Sequence, residues 1–215
     1  MTPSTSSPAP GGGDLRDRRR RQTAQEIHQA VIRLAKEHGF CHVTVDMIST
    51  EAGVSPRTFF NYFPGKEAAA VGQAPAELPG ELVARFVAAG PAHPRTVLQE
   101  LTSALVAHLA EDPPDRRAAR DVFELAHSTP PVLAALMTRF DGFRRSLVEA
   151  VAARMGPDTP EELPDLIATV AISAMRTGME RWSLHAEDGD SPVPYVERAT
   201  ALLYTLFSPD PGASS

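Results

Sequence analysis

The sequence predicts an all-α protein in which a small N-terminal three-helix helix-turn-helix unit is followed by a larger helical domain, about nine helices in all. Apolar residues recur at steps of three and four almost throughout, and no segment alternates as a half-buried strand would. Proline and glycine separate the periodic segments at intervals typical of helices. Hydrophobic residues make up 42% of the 215 residues, which suits one or two domains with a real core.

Composition divides the chain into four segments. Residues 1–13 and 208–215 are mostly Pro, Gly, Ser, Thr and Ala, so we expect disordered tails there. Between them we expect a small helical domain over residues 14–66 and a larger one over residues 67–207.

The first helix is predicted from about residue 17 to residue 38, and Gly39 ends it. Its apolar residues fall on one stripe, the pattern of a helix that covers a core. The stripe consists of Ala24, Ile27, Val31, Leu34 and His38.

Two short helices follow. Thr44 is a good N-cap for the first of them, which ends near Ala52. The turn Gly53-Val54-Ser55 comes next, and Ser55 caps another helix with Pro56 in the favoured first position. Two short helices joined by a glycine-containing turn form a helix-turn-helix.

The later residues predict about six more helices, with loops at residues 156–160 and 187–194. Pro75 and Pro79 break the first of these helices. Pro113-Pro114 opens another, as does Pro130-Pro131. The last two helices are predicted at residues 164–186 and 192–207.

Charge is unevenly distributed along the chain. The net charge is −6, but residues 14–66 carry nine basic and six acidic side chains, which leaves −9 on the remainder. A basic small domain joined to an acidic large one fits local contact with DNA, with the acidic body kept away from phosphate.

The third helix separates an apolar face from an unusual polar one. Phe59 and Phe63 are four residues apart and share the face predicted to pack on the first helix. At about 100° per residue, Arg57 and Asn61 lie on the opposite face. Arginine and asparagine read base edges in the major groove. The alternative is that this helix-turn-helix is one of the many in all-α proteins that do not bind DNA.

The stretch AGVSPRTFFNYFPGKEAA at residues 52–69, preceded by TVDMIS at residues 44–49, resembles the TetR family of transcriptional regulators. The likeness extends from about residue 17 to residue 70, and beyond that it consists of helix count and length. It implies an N-terminal DNA-binding domain, a helical domain that binds an effector and forms the dimer, and a protein that represses transcription. The single cysteine and the absence of a predicted membrane span or signal peptide lead us to expect a cytoplasmic location.

The resemblance also assigns DNA contacts. Thr44 matches a phosphate-contacting position, and its place at a helix start leaves N–H groups free for an anion. Tyr62 and Lys66 match other phosphate contacts. The expected groove-facing set is Pro56, Arg57, Thr58, Phe60 and Asn61. Ser55, the cap of this helix, is also expected to contact DNA. The family often has Tyr where this chain has Phe60, so one hydrogen bond is lost and an apolar contact remains.

A run of arginines precedes the first helix or forms its opening turn. It consists of Arg18, Arg19, Arg20 and Arg21. We interpret the run as an arm along phosphate or in the minor groove, and the alternative is a solvated charge run.

The resemblance implies that the last two helices pair with those of a second copy as a four-helix bundle. The first of them is apolar nearly all round, which predicts burial on both sides. The expected interface residues are Leu166, Val170, Val196, Ala199, Leu203 and Leu206.

An effector pocket is expected among mobile methionines and flat aromatics, although such residues are also ordinary core. The candidates are Phe123, His127, Met137, Phe140, Met175, Met179 and Trp182. The FNYFPGKE form of the motif is similar to a branch associated with acyl-CoA-like ligands. An architectural DNA-binding protein without an effector is the alternative.

The sequence offers no catalytic, cofactor or metal motif. None of the seven histidines forms H-E-x-x-H, and no phosphate loop or dinucleotide fingerprint is present. The single cysteine, Cys41, is expected to pack half-buried after Phe40. No signal peptide or membrane span is predicted.

Overall fold

A computed structural model describes residues 12–73, 78–187 and 189–206. In these ranges the chain forms ten α-helices and one short 3-10 turn without any strand, which confirms the all-α prediction. The chain divides into two compact units, Met1–Gln73 and Ala74–Ser215. The predicted tails lie outside the described ranges, except that residues 12 and 13 are helical.

The first unit contains four helices and the 3-10 turn. Helix α1 spans Gly12–His38 and therefore begins about five residues earlier than predicted. The 3-10 turn Phe40–His42 leads into α2, Val45–Glu51. Helices α3, Pro56–Tyr62, and α4, Lys66–Val71, follow. Because α4 packs on α1, the first unit extends beyond the expected boundary at residue 66.

The core of the first unit is the apolar stripe of α1 closed by residues from the short helices. Ile27 and Val31 of α1 are fully buried, as are Ile48 of α2 and Phe59 of α3. Helices of six or seven residues are unstable alone, because nucleation costs more than so few hydrogen bonds return. The position of α3 is therefore set by its packing in the first unit, where it lies against α2.

The second unit contains six helices and is built around α9. The helices are α5 Gly80–Ala88, α6 Pro94–Glu111, α7 Arg116–Ser128, α8 Pro130–Met155, α9 Glu162–His185 and α10 Val193–Leu206. Helix α9 packs against α6, α7, α8 and α10. An exposed stripe runs along α9: Leu166, Thr169, Ser173 and Thr177. Its own unit does not cover this side of the helix, and the expected burial against a partner subunit stays a prediction.

A buried arginine ties α8 to α5 and α6. Arg154 is only 2% exposed, and its guanidinium donates to the Gly90 carbonyl at 3.0 Å. It also pairs with Glu100 of α6 and lies 4.5 Å from the Phe86 ring centroid of α5. One of its terminal nitrogens, Nη1, has no hydrogen-bond partner within the described ranges. The guanidinium therefore depends on Glu100 for its countercharge.

None of the helices in the described ranges is both long and apolar enough to span a bilayer.

Candidate nucleic-acid interface

The two N-caps of the helix-turn-helix form as predicted. Thr44 Oγ1 accepts a hydrogen bond from the Met47 amide at 3.2 Å, which caps α2. Ser55 Oγ accepts from the Thr58 amide at 3.0 Å and lies 2.8 Å from Thr58 Oγ1. Pro56 occupies the first turn of α3. These caps fix where both helices begin, and Thr44 and Ser55 remain exposed at their starts.

The outer face of α3 presents the predicted groove-facing residues to solvent. Arg57 and Asn61 are exposed, while Phe59 on the inner face is fully buried. Phe60 is 57% exposed, and its ring stands at 90° to that of Phe59 with the centroids 5.3 Å apart. Thr58 lies half-buried beside them. This face combines donors and acceptors for base edges with an apolar group suited to thymine methyls.

The arginine run lies within α1, near its N-terminal end, and does not precede the helix. The expected contact of this run with phosphate or the minor groove stays a prediction. Arg18, Arg19, Arg20 and Arg21 occupy the opening turns of the helix, and all four are exposed. The Arg20 guanidinium lies 5.9 Å from the ring centroid of the half-buried Tyr62. This contact brings the positively charged end of α1 beside the C-terminal end of α3.

Lys66 makes contacts that the sequence did not predict. Its Nζ donates to the Phe40 carbonyl at 3.0 Å and to the Val43 carbonyl at 2.8 Å. The same nitrogen lies 4.7 Å from the Phe40 ring centroid. The ammonium group therefore binds the 3-10 turn of its own chain. Its expected phosphate contact stays a prediction.

Cys41 is exposed, so the expectation that it is half-buried is wrong. The 3-10 turn buries Phe40 and points the next side chain outward. The thiol sulfur lies 3.2 Å from His42 Nδ1, which also lies 3.0 Å from the His38 carbonyl.

The expected pocket residues of the second unit lie on α7, α8 and α9, which pack against one another. Phe123 and Trp182 are buried, His127 is exposed, and the remaining candidates are half-buried: Met137, Phe140, Met175 and Met179. His127 Nε2 lies 3.0 Å from a Glu180 carboxylate oxygen, which links α7 to α9.

Two arginines lie on these same helices. Arg176 of α9 donates to Met137 Sδ of α8 at 3.3 Å. Burial lowers the pKa of Arg139, which lies on α8. The sequence prediction for this region selected methionines, aromatic residues and one histidine, and it included neither arginine.

A cavity of about 460 Å³ lies elsewhere in the second unit, between the loop before α7 and the loop before α10. Trp182 is the single expected pocket residue that lines it. The other lining residues are Pro113, Pro114, Asp115, Arg116, Arg117, Gly189, Asp190, Ser191 and Pro192. Arg116 donates to the Trp182 carbonyl at 3.4 Å and to the Ala186 carbonyl, so it closes the C-terminal end of α9.

The expected interface residues of α9 and α10 differ in their exposure. Leu166 is 58% exposed and Leu206 is 77% exposed. Val170, Ala199 and Leu203 are half-buried, and Val196 is buried within its own unit. Leu202, which the sequence reasoning did not select, is 56% exposed.

A basic N-terminal unit with a helix-turn-helix whose second helix exposes arginine and asparagine, followed by a separate helical unit, defines a DNA-binding transcriptional regulator. Comparison with known families agrees. The model for bacterial regulatory proteins of the tetR family matches residues 27–68. The model for the MftR C-terminal domain matches residues 95–208, which is more than half of the chain. The chain belongs to the TetR family of transcriptional regulators.

Two curated relatives match over most of their length. The HTH-type transcriptional regulator TcmR of Streptomyces glaucescens is 28% identical over 190 residues, which is 86% of this chain and 84% of that protein. The putative mycofactocin biosynthesis transcriptional regulator MftR of Mycobacterium tuberculosis is 30% identical over 169 residues, 77% of this chain and 82% of that protein. These relatives are regulators and not enzymes.

Among solved structures, Thermus thermophilus FadR is described as a TetR family transcriptional repressor in complex with lauroyl-CoA. It is 24% identical with a TM-score of 0.45, and the match covers 88% of this chain and 100% of that one.

Proposed function

We propose that this TetR-family regulator is a repressor that binds a palindromic operator as a homodimer and is released by a small apolar or amphipathic ligand. The observation that supports DNA binding is the outer face of α3, where Arg57, Phe60 and Asn61 are exposed beside the arginines of α1. Such a protein acts in the cytoplasm, where its operator lies.

The residues divide by the part of the DNA that each one contacts. Arg57 and Asn61 read base edges, and Phe60 contacts a thymine methyl group. Thr44 and Tyr62 bind phosphate and fix the register of α3 in the groove. The exposed arginines of α1 add further phosphate contacts, which strengthen binding to every sequence.

The homodimer is supported by apolar side chains left exposed on α9 and α10. Leu166, Leu202 and Leu206 are each more than half exposed. Large apolar groups at the surface of one copy are an aggregation hazard, and a two-fold pair covers the same patch on both copies. The pair places two α3 helices in successive major grooves, about 34–36 Å apart.

The ligand acts by favouring one conformer. A ligand that binds two conformers unequally shifts their populations, and a conformer with a different spacing of the two α3 helices fits the operator badly. We place the ligand among α7, α8 and α9, where Phe123, Met137 and Met175 lie. The acyl-CoA class expected from the motif is the first to test.

Selection from a library of random DNA duplexes tests the DNA contact. The wild type should enrich a palindrome, and Arg57→Ala should bind it at least about fivefold more weakly, because one base-reading contact is lost. Arg95→Ala removes an exposed arginine of α6 in the second unit and serves as the matched control. Enrichment of no common sequence by the wild type would overturn the proposal.

Native mass spectrometry followed by titration tests the effector. A small molecule retained by the purified protein, or release of the selected duplex by lauroyl-CoA but not by coenzyme A, would support a ligand-responsive regulator. The alternative is a DNA-binding protein without an effector, and it is favoured if no molecule is retained and a broad metabolite panel leaves the complex intact.

A further inference from the structure

Lys66 joins two parts of the first unit that are far apart in sequence. It is the first residue of α4, and its ammonium group reaches 26 residues back to Phe40 and 23 residues back to Val43. Val43 is buried and directly precedes Thr44, the N-cap of α2. A buried carbonyl needs a hydrogen-bond partner, and Lys66 supplies one for Val43.

The position of Lys66 in α4 is unfavourable for the helix itself. The N-terminus of a helix carries a partial positive charge, so a cation there is destabilising. The contacts with two carbonyl dipoles and the face of the Phe40 ring offset this cost. Two of the three ammonium protons are thereby directed at carbonyls of the same chain.

We propose that Lys66 is a positioning residue, which holds the 3-10 turn Phe40–His42 against α4 and so fixes Thr44 and the start of α2 on the DNA. This inference rests on the proposed operator binding. In this proposal Lys66 strengthens binding through Thr44, and this role replaces the direct phosphate contact that the resemblance implies.

A double-mutant cycle separates positioning from direct contact. Lys66→Met keeps the aliphatic stem and removes the donors, and Thr44→Ala removes the group that it positions. Each change should weaken binding to duplex DNA about fivefold, and the double variant should be at most about twofold weaker than the weaker single variant, because the two residues act as one unit. Lys66→Met with Arg57→Ala is the control pair, and those losses should multiply.

The salt dependence gives a second, independent measurement. Loss of one phosphate contact lowers the slope of log K against log salt by about 0.9, whereas a positioning residue leaves the slope unchanged. Lys66→Gln keeps a donor for one carbonyl and should recover part of the affinity. If Lys66→Met does not fold, Lys66→Gln takes its place in these measurements. Additive losses at Lys66 and Thr44 together with a lowered slope in Lys66→Gln would overturn the proposal.

Hydrogen exchange tests the inference without DNA. The Met47 amide donates to Thr44 Oγ1, so its exchange should accelerate in Lys66→Met or Lys66→Gln relative to amides of α3. Unchanged exchange at Met47 would count against the positioning role of Lys66. Because this measurement uses no DNA, it does not depend on whether the wild type selects an operator. The positioning role and the proposed operator binding can therefore be disproved independently.

Discussion

Gly178 of α9 packs directly against Val196 of α10. A Cβ atom at Gly178 would lie 2.5 Å from the Val196 Cα and 2.8 Å from its Cγ2. The two helices therefore approach as closely as backbones allow, and Val196 is 2% exposed as a result. The absence of a side chain at residue 178 sets the distance between α9 and α10.

We predict that Gly178→Ala destabilises the second unit. The overpacking cost of about 1–3 kcal/mol should exceed the gain of up to about 1 kcal/mol in helix propensity. Chemical denaturation of the purified protein measures the free energy of unfolding. Gly142→Ala in α8 is the matched control, because its Cβ would meet only Arg145 Nη2 at 3.9 Å. That variant should be as stable as the wild type or more stable. A stabilised Gly178→Ala would show that the helices separate at little cost.

Ser49→Ala should stabilise the first unit. The Ser49 hydroxyl is buried in α2 and has no hydrogen-bond partner among the residues that the structure describes. A buried unsatisfied hydroxyl costs free energy, and alanine also has the higher helix propensity, so we expect a gain of about 1 kcal/mol. Thermal unfolding should show a higher midpoint. Ser55→Ala removes the cap of α3 and should lower the midpoint, because the lost cap costs about 1 kcal/mol of stability. A lower midpoint for Ser49→Ala would indicate that a bound water satisfies the hydroxyl.

Leu202→Glu should convert the proposed dimer to monomers. Leu202 is exposed on α10, and a glutamate there would be desolvated in a paired α9–α10 face. Sedimentation velocity at micromolar concentration measures the state. Leu133→Glu is the control, since Leu133 is an exposed leucine of α8. A Leu202→Glu protein that sediments like the wild-type dimer would exclude Leu202 from the interface, and monomeric wild type would exclude the dimer itself.

Glu100→Ala should destabilise the second unit more than Arg154→Met does. Removal of Glu100 leaves the buried Arg154 guanidinium without its countercharge, at a cost of about 2–3 kcal/mol. Removal of Arg154 leaves a half-exposed Glu100 that water can solvate, and methionine fills the apolar space, so we expect about 1 kcal/mol or less. Urea unfolding of both variants tests the order, and the reverse order would contradict it.

The sequence predicted those features of the first unit that depend on neighbours in the chain. The caps at Thr44 and Ser55, and the opposition of Phe59 to Arg57 within α3, follow from local hydrogen bonding and helical periodicity. The contact between Lys66 and Phe40 was not predictable, because nothing in a helical pattern says which distant carbonyl a lysine will reach.

In α10 the sequence indicated an apolar stripe but not what covers it. Val196 and Leu203 lie on the predicted stripe, yet Val196 packs on α9 and Leu203 packs on the core of its own unit. Leu202, one position away, is left exposed. An apolar pattern identifies residues that avoid water, and the partner that covers each one is set by the packing of whole helices.

The two sides of the short helix α3 have different roles. Phe59 anchors the helix in the core, while Arg57, Phe60 and Asn61 on the outer side contribute little to holding it there. Substitutions on the outer side should therefore change the free energy of unfolding little, whereas substitutions at Phe59 should lower it. In evolutionary terms the protein can acquire a new target sequence by a few surface changes, without first evolving a new scaffold.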